Sequence, residues 1–165
     1  MLIAIISLKI IKQKQMKSTD VIHDRLSMAY LLMVISLGLH VIDEAITGFL
    51  GFYNPLVLKL REQYEFIPFP VFPFWLWLTG LSLLILVLLL LTSAIYRRIK
   101  IFIFFTRAFS FLMILNGLGH ILGSIYLSRI LPGFYSSPLL LAFTIYLLIT
   151  LSGKHGVKSR PSESI

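Results

Sequence analysis

The chain has 165 residues, of which 58% are hydrophobic, with a mean hydropathy of +0.91 and a formal net charge of +8. That hydropathy excludes an ordinary soluble domain, and the length allows one compact bundle and little more. No cysteine is present, which excludes a disulfide framework and a thiol nucleophile, and the cations sit between apolar runs as topology signals, not as a nucleic-acid surface.

In chain order, residues 1–25 read as a basic N-terminal cytoplasmic segment. MLIAIISLKIIKQKQ is apolar and then basic, the reverse of a secretory signal, so it reads as a short interfacial stretch, with Met16 and Met28 as alternative starts. His23 and Asp24 precede the first span and are expected to be solvated. Residues 26–152 form a single transmembrane domain with four predicted spans, each near the roughly 20 residues that a bilayer core requires.

The first span, about 28–50, contains His40, Asp43 and Glu44. A mid-membrane carboxylate costs about 2.5–3.5 kcal/mol to insert, so this pair costs about 5–7 kcal/mol. Ionisable residues at such depth face a bundle interior and mark a site. The 53–71 connection carries Asn54-Pro55 and then Leu56, Leu60 and Tyr64 at i, i+4, i+8, which predicts a short amphipathic helix at the outer interface. Trp75 and Trp77 stand where an aromatic belt would anchor the second span, about 72–96, whose core has no ionisable group.

The third span, about 101–127, holds Arg107 two turns in, positioned to snorkel to the cytoplasmic headgroups. It then presents Asn116 and His120 at i, i+4. Gly119 and Gly123 form a small-xxx-small pair that would admit a close backbone, and Tyr126 is near enough in sequence to line the same cavity as His120. Pro132-Gly133 breaks the chain before the fourth span, about 136–152, and residues 153–165 form a polar cytoplasmic tail. Eleven cations flank the cytoplasmic side, whereas Lys59, Arg61 and Arg129 lie on the other, so both termini are expected on the cytoplasmic side of the inner membrane.

Helical geometry brings these pieces together. Positions i+3 and i+4 lie about 60° and 40° to either side of residue i, so Asp43 and Glu44 bracket His40 on one face. At 1.5 Å per residue, His40 and Glu44 lie about 18 and 24 Å from the start of their span, and Asn116 and His120 about 22 and 28 Å from theirs. The two clusters share a depth and can converge. Two imidazoles and a carboxylate, His40, Glu44 and His120, suit a divalent metal, Zn²⁺ or Fe²⁺. His40, Asp43, Glu44, Asn116 and His120 could equally do acid–base or proton-relay work without metal. The same residues could also form a structural hydrogen-bond network or a small-ligand pocket.

HVIDE at 40–44 followed by GFLGF at 48–52, with Asn116-Gly-Leu-Gly-His120 and a downstream Pro132-Gly133, resembles the paired motifs of the HXXEE family of bacterial integral-membrane proteins. The resemblance covers roughly 28–150 and marks His40, Glu44, Asn116 and His120. Asp43 stands where the family has Glu, keeping the charge with a reach shorter by about 1.5 Å, the length of one carbon–carbon bond. The resemblance implies a site and no particular reaction.

The expected fold class is therefore an all-α integral-membrane bundle. The expected function is a metal-dependent or acid–base activity on a lipid-like substrate such as hydrolysis or isomerisation, with the bilayer and that small molecule as partners and no nucleic acid. The alternative is a non-catalytic transport, proton-relay or interaction module, and transport through so few spans would require an oligomer.

Overall fold

The computed structural model describes the backbone of residues 2–64, 66 and 68–152, and side chains from Arg25 onward within those limits. The predicted N-terminal segment before Arg25 and the tail 153–165 thus lie, in side chains and altogether respectively, outside the described residues. The described residues fold as helices α1 (Leu2–Thr47), α2 (Phe49–Gln63), α3 (Phe74–Leu90), α4 (Thr92–Tyr96), α5 (Lys100–Tyr126) and α6 (Ser137–Ser152), with no strand among them. The chain is an all-α membrane bundle. Among the described residues, three stretches are long and apolar enough to cross a bilayer: Arg25–Thr47, Phe74–Tyr96 and Lys100–Tyr126.

α6 takes the place of the fourth span with 16 residues, or about 24 Å, against a hydrocarbon core of about 30 Å. The 127–136 connection accounts for the short helix. It turns back into the bundle, with Leu131 and Gly133 buried, so α6 starts at the depth of the predicted site. Irregular backbone at membrane depth is tolerated where protein covers it.

α1 is the central element. It packs on α6 to one side and on α3 and α4 to the other, while α6 also packs against α5. Its buried residues Ala29, Tyr30, Met33, Val34, Leu37 and Val41 supply much of the core, and the Tyr30 hydroxyl donates to Leu88 O at 2.9 Å, tying α1 to α3. α5 shows one buried stripe, Thr106, Ser110, Met113, Gly117, His120 and Ser124. This alternation of four and three residues is the seam of closely packed helices. α6 answers with Ser137, Leu140, Thr144 and Leu147. Much of α3 faces outward and is apolar there, with Leu83, Leu86 and Leu90 exposed, which is a lipid-facing surface.

The predicted first span to about residue 50 ends earlier. Gly48 adopts φ 79°, the left-handed conformation that closes helices and that glycine adopts without strain. GFLGF therefore opens α2 instead of ending α1. α2 is the predicted interfacial helix, begun four residues sooner than its connection was expected to start. It fastens the following segment through Asn54, whose amide donates to Phe72 O and accepts from Phe72 N–H at 2.9 and 3.1 Å, and through Arg61, which donates to Phe69 O.

Two further expectations are corrected by packing. Trp75 is exposed as a belt residue should be, but Trp77 is buried and stacks on Phe49 with ring centroids 5.7 Å apart. Of the predicted pair, Gly123 is closely approached, since an added Cβ would meet Leu131 Cδ1 at 2.8 Å, whereas at Gly119 it would meet nothing within 4 Å; the other close approach is at Gly117, against Leu141 Cγ at 2.8 Å. Gly119 lies off the buried stripe.

Candidate functional site

α1 carries His40 and Glu44 one turn apart on its buried side, and α5 carries His120 on its buried stripe. Glu44 Oε1 lies 3.1 Å from His120 Nε2 and 3.7 Å from His40 Nε2. The two imidazoles meet edge to face with centroids 4.9 Å apart. One ligand atom from each of His40, Glu44 and His120 falls within 4.8 Å of the others, and all three residues are buried.

Asn116 Nδ2 lies 3.0 Å from His40 Nε2, and Ser136 Oγ lies 2.8 Å from His40 Nδ1. Ser136 Oγ is also 2.7 Å from Asp43 Oδ2, an oxygen that additionally accepts Ser136 N–H at 2.9 Å. These contacts fix the tautomer. An ionised carboxylate only accepts, so the single hydroxyl proton of Ser136 goes to Asp43. Ser136 Oγ must then accept from His40, which places the imidazole proton on Nδ1. His40 Nε2 is left with a lone pair that accepts from the Asn116 amide. This is the arrangement by which an outer carboxylate orients a metal-ligating histidine, here relayed through a hydroxyl.

The helical bracket explains the split between the carboxylates. Asp43 and Glu44 flank His40 as expected, but on opposite sides of it. Glu44 faces α5, and Asp43 faces the start of α6, where its charge also suits the positive end of that helix. Asp43 is thus one hydroxyl removed from the cluster and makes no direct contact with His120 among the described contacts.

Sequence reasoning overlooked Ser136 and gave Gly133 too small a part. Gly133 has φ 82°, and a Cβ there would lie 3.0 Å from His120 Nδ1, His120 Cε1 and His40 Cε1. It is the floor beneath both imidazoles. Its carbonyl accepts from Ser137 Oγ at 2.6 Å, locking the turn to α6. Ser124 adds a second lock, donating to His120 O at 2.6 Å and accepting Leu131 N–H at 2.9 Å. The Pro132-Gly133 pair carried the prior signal, as a chain break and as the end of the second motif of the resemblance. Tyr126 is 87% exposed and lines no part of the cluster. Arg107 pairs with neither core carboxylate and donates instead to Leu151 O at 2.9 Å, at the end of α6.

Beside the cluster lies a cavity of about 470 Å³ between α1, α3 and α5. His40, Glu44 and Asn116 form its polar wall, and Trp77, Leu81 and Phe109 are among its apolar ones. Comparisons of the chain with models of known families, with curated proteins and with solved structures gave no match.

Proposed function

We propose that His40, Glu44 and His120 bind one divalent metal ion, Zn²⁺ or Fe²⁺, in a membrane protein that acts on a lipid-like substrate. The observation that carries this reading is the convergence of three buried ligand atoms within 4.8 Å. Tetrahedral ligands about 2.1 Å from a metal stand about 3.4 Å apart, and the two distances to Glu44 Oε1 are 3.1 and 3.7 Å. With a metal held there, His120 and His40 would each offer the Nε2 lone pair, so His120 would carry its ring proton on Nδ1 and the Asn116 amide would give up His40 Nε2. A three-ligand set leaves a coordination position for water or substrate, the feature of catalytic sites.

The neighbouring cavity supports the substrate class. Its volume lies in the usual ligand range and its walls are mostly apolar, so it suits an acyl or isoprenoid chain with a reactive group placed at the cluster. Hydrolysis or isomerisation, with the metal polarising an oxygen, is the reaction type this favours. The HXXEE resemblance joins the same proposal, because four of its motif positions, His40, Glu44, Asn116 and His120, belong to this cluster.

A second reading has one observation in its favour. Asn116 occupies the His40 lone pair at 3.0 Å, which makes Asp43–Ser136–His40–Asn116 a continuous hydrogen-bonded chain suited to metal-free proton relay. Metal titration separates the two. Zn²⁺ or Fe²⁺ should raise the melting temperature of the detergent-purified chain, since metal at 100 times its dissociation constant stabilises by about 2.7 kcal/mol. Ser136→Ala should weaken binding about 10–100-fold, the usual effect of losing an outer-shell partner. Absence of metal stabilisation would favour the relay, and equal affinity in Ser136→Ala would show that Ser136 does not orient His40 for the metal.

The cation distribution further supports an inner-membrane protein with both termini cytoplasmic. Reporter fusions after Lys100 and after Lys154 should both read cytoplasmic, and an external reading at either would overturn this topology.

A further inference from the structure

At the other end of the bundle, Arg98, Lys100 and Arg107 line one cavity of about 330 Å³, together with Leu26, Phe104 and Leu151. Three like charges around one cavity repel, and no described carboxylate forms an ion pair with any of them. Positive-inside topology asks only that such cations lie near the membrane surface with their charges in water. Lys100 and Arg107 are exposed and meet that description, whereas Arg98 is half-buried. Its Nε is buried and, among the described residues, has no hydrogen-bond partner, a situation that native structures resolve with a partner such as an ion or ordered water. The backbone holds it there in the left-handed region, φ 51°, which a non-glycine residue seldom adopts.

A second feature points at the same place. α5 begins at Lys100, and its N-cap residue, Ile99, supplies no side-chain cap. The first N–H groups of this 27-residue helix therefore present the positive end of its dipole beside the three cations. Uncapped amides, converging cations and an unpartnered guanidinium nitrogen are the recognition chemistry of a phosphate group. The apolar walls supply what a soluble phosphate would not use, a surface for the start of an acyl chain.

We propose that this cavity binds the phosphate headgroup of an anionic phospholipid in the cytoplasmic leaflet. Arg98 grips the phosphate, Lys100 and the α5 N-terminus complete its shell, and Arg107 joins it to α6 through Leu151 O. The bound lipid thereby pins α5 to α6 at the end away from the His/Glu cluster. This site stands independently of any metal at that cluster.

The test is native mass spectrometry of the full chain released from nanodiscs made of equal parts phosphatidylglycerol and phosphatidylcholine. The parent should retain phosphatidylglycerol selectively, because each basic residue facing an anionic headgroup contributes about a fivefold preference. Lys100→Gln, which removes one charge and leaves the Arg107 bond to α6 in place, should lower retention about fivefold. Arg98→Gln with Lys100→Gln should bring retention to the phosphatidylcholine level. Arg97→Gln removes an equal charge from a neighbouring exposed residue outside the cavity and should retain the lipid. Equal retention of both lipids by the parent would overturn the proposal, as would an Arg97→Gln loss equal to that of Lys100→Gln. Thermal stabilisation by inorganic phosphate matching that by phosphatidylglycerol would overturn the lipid as occupant.

Discussion

Glu44→Gln and His120→Phe should each lower metal affinity by more than about 100-fold while leaving the bundle folded. Substitutions in the outer shell of a metal site typically cost 10–100-fold, and a direct ligand contributes more. Glu44→Gln keeps the shape and one acceptor but removes the negative charge shared by both imidazoles. His120→Phe keeps a ring and removes both nitrogens. Stability should change little, because each variant takes a polar group out of the membrane interior, and for Glu44 the removed insertion cost is about 2.5–3.5 kcal/mol. A purely structural network predicts the opposite pattern. There, deleting one partner leaves another buried and unsatisfied, costing about 1–3 kcal/mol. Melting curves in detergent beside metal titrations distinguish these outcomes. Early melting with metal content unchanged from the parent would defeat the metal reading.

Gly133→Ala should both destabilise the chain, by about 2–4 kcal/mol, and impair the cluster. Two costs combine. A non-glycine residue at φ 82° pays about 1–2 kcal/mol for left-handed backbone. The new methyl would also stand 3.0 Å from atoms of both imidazoles, inside the 3.5–4.0 Å of an ordinary carbon contact. Neither ring can simply withdraw. His40 is held at both nitrogens by Ser136 and Asn116, and His120 is held by Glu44. Gly48→Ala isolates the first cost. Gly48 has nearly the same φ, 79°, yet nothing lies within 4 Å of its added Cβ. It should lose about 1–2 kcal/mol and bind metal as the parent does. Equal effects of the two variants on metal affinity would show that Gly133 does not support the rings.

The residues that announce themselves in this sequence are the ones with an energetic cost. Charges in an apolar run have to face inward, so His40 and Glu44 could be assigned to a buried face from composition and helical spacing alone. The matching depth of Asn116 and His120 then suggested convergence, and the rings do meet. Long apolar runs likewise gave limits close to those of α5 and α6, and of α3 and α4 taken together, although the break between those two at Leu91 was not expected.

What could not be read was set by contacts between distant segments. Ser136 has no charge and belongs to no periodic pattern, so nothing local reveals that it joins Asp43 to His40. Gly48 and Gly133 were visible as glycines, but their positive φ values are properties of the turns they close. Trp77 had the composition of a belt residue and was instead claimed by packing against Phe49 at the start of α2. Arg98, Lys100 and Arg107 read as separate topology and snorkelling signals because the left-handed turn at Arg98 and the bond from Arg107 to Leu151 O are not visible in the sequence.

Elemental analysis of the full chain, purified from membranes in mild detergent without chelator, tests the central claim most directly. The account predicts close to one zinc or iron ion per chain in the parent, and a ratio near zero in Glu44→Gln prepared alongside it. A parent chain that is folded, carries no stoichiometric metal and takes up neither Zn²⁺ nor Fe²⁺ on titration would contradict it.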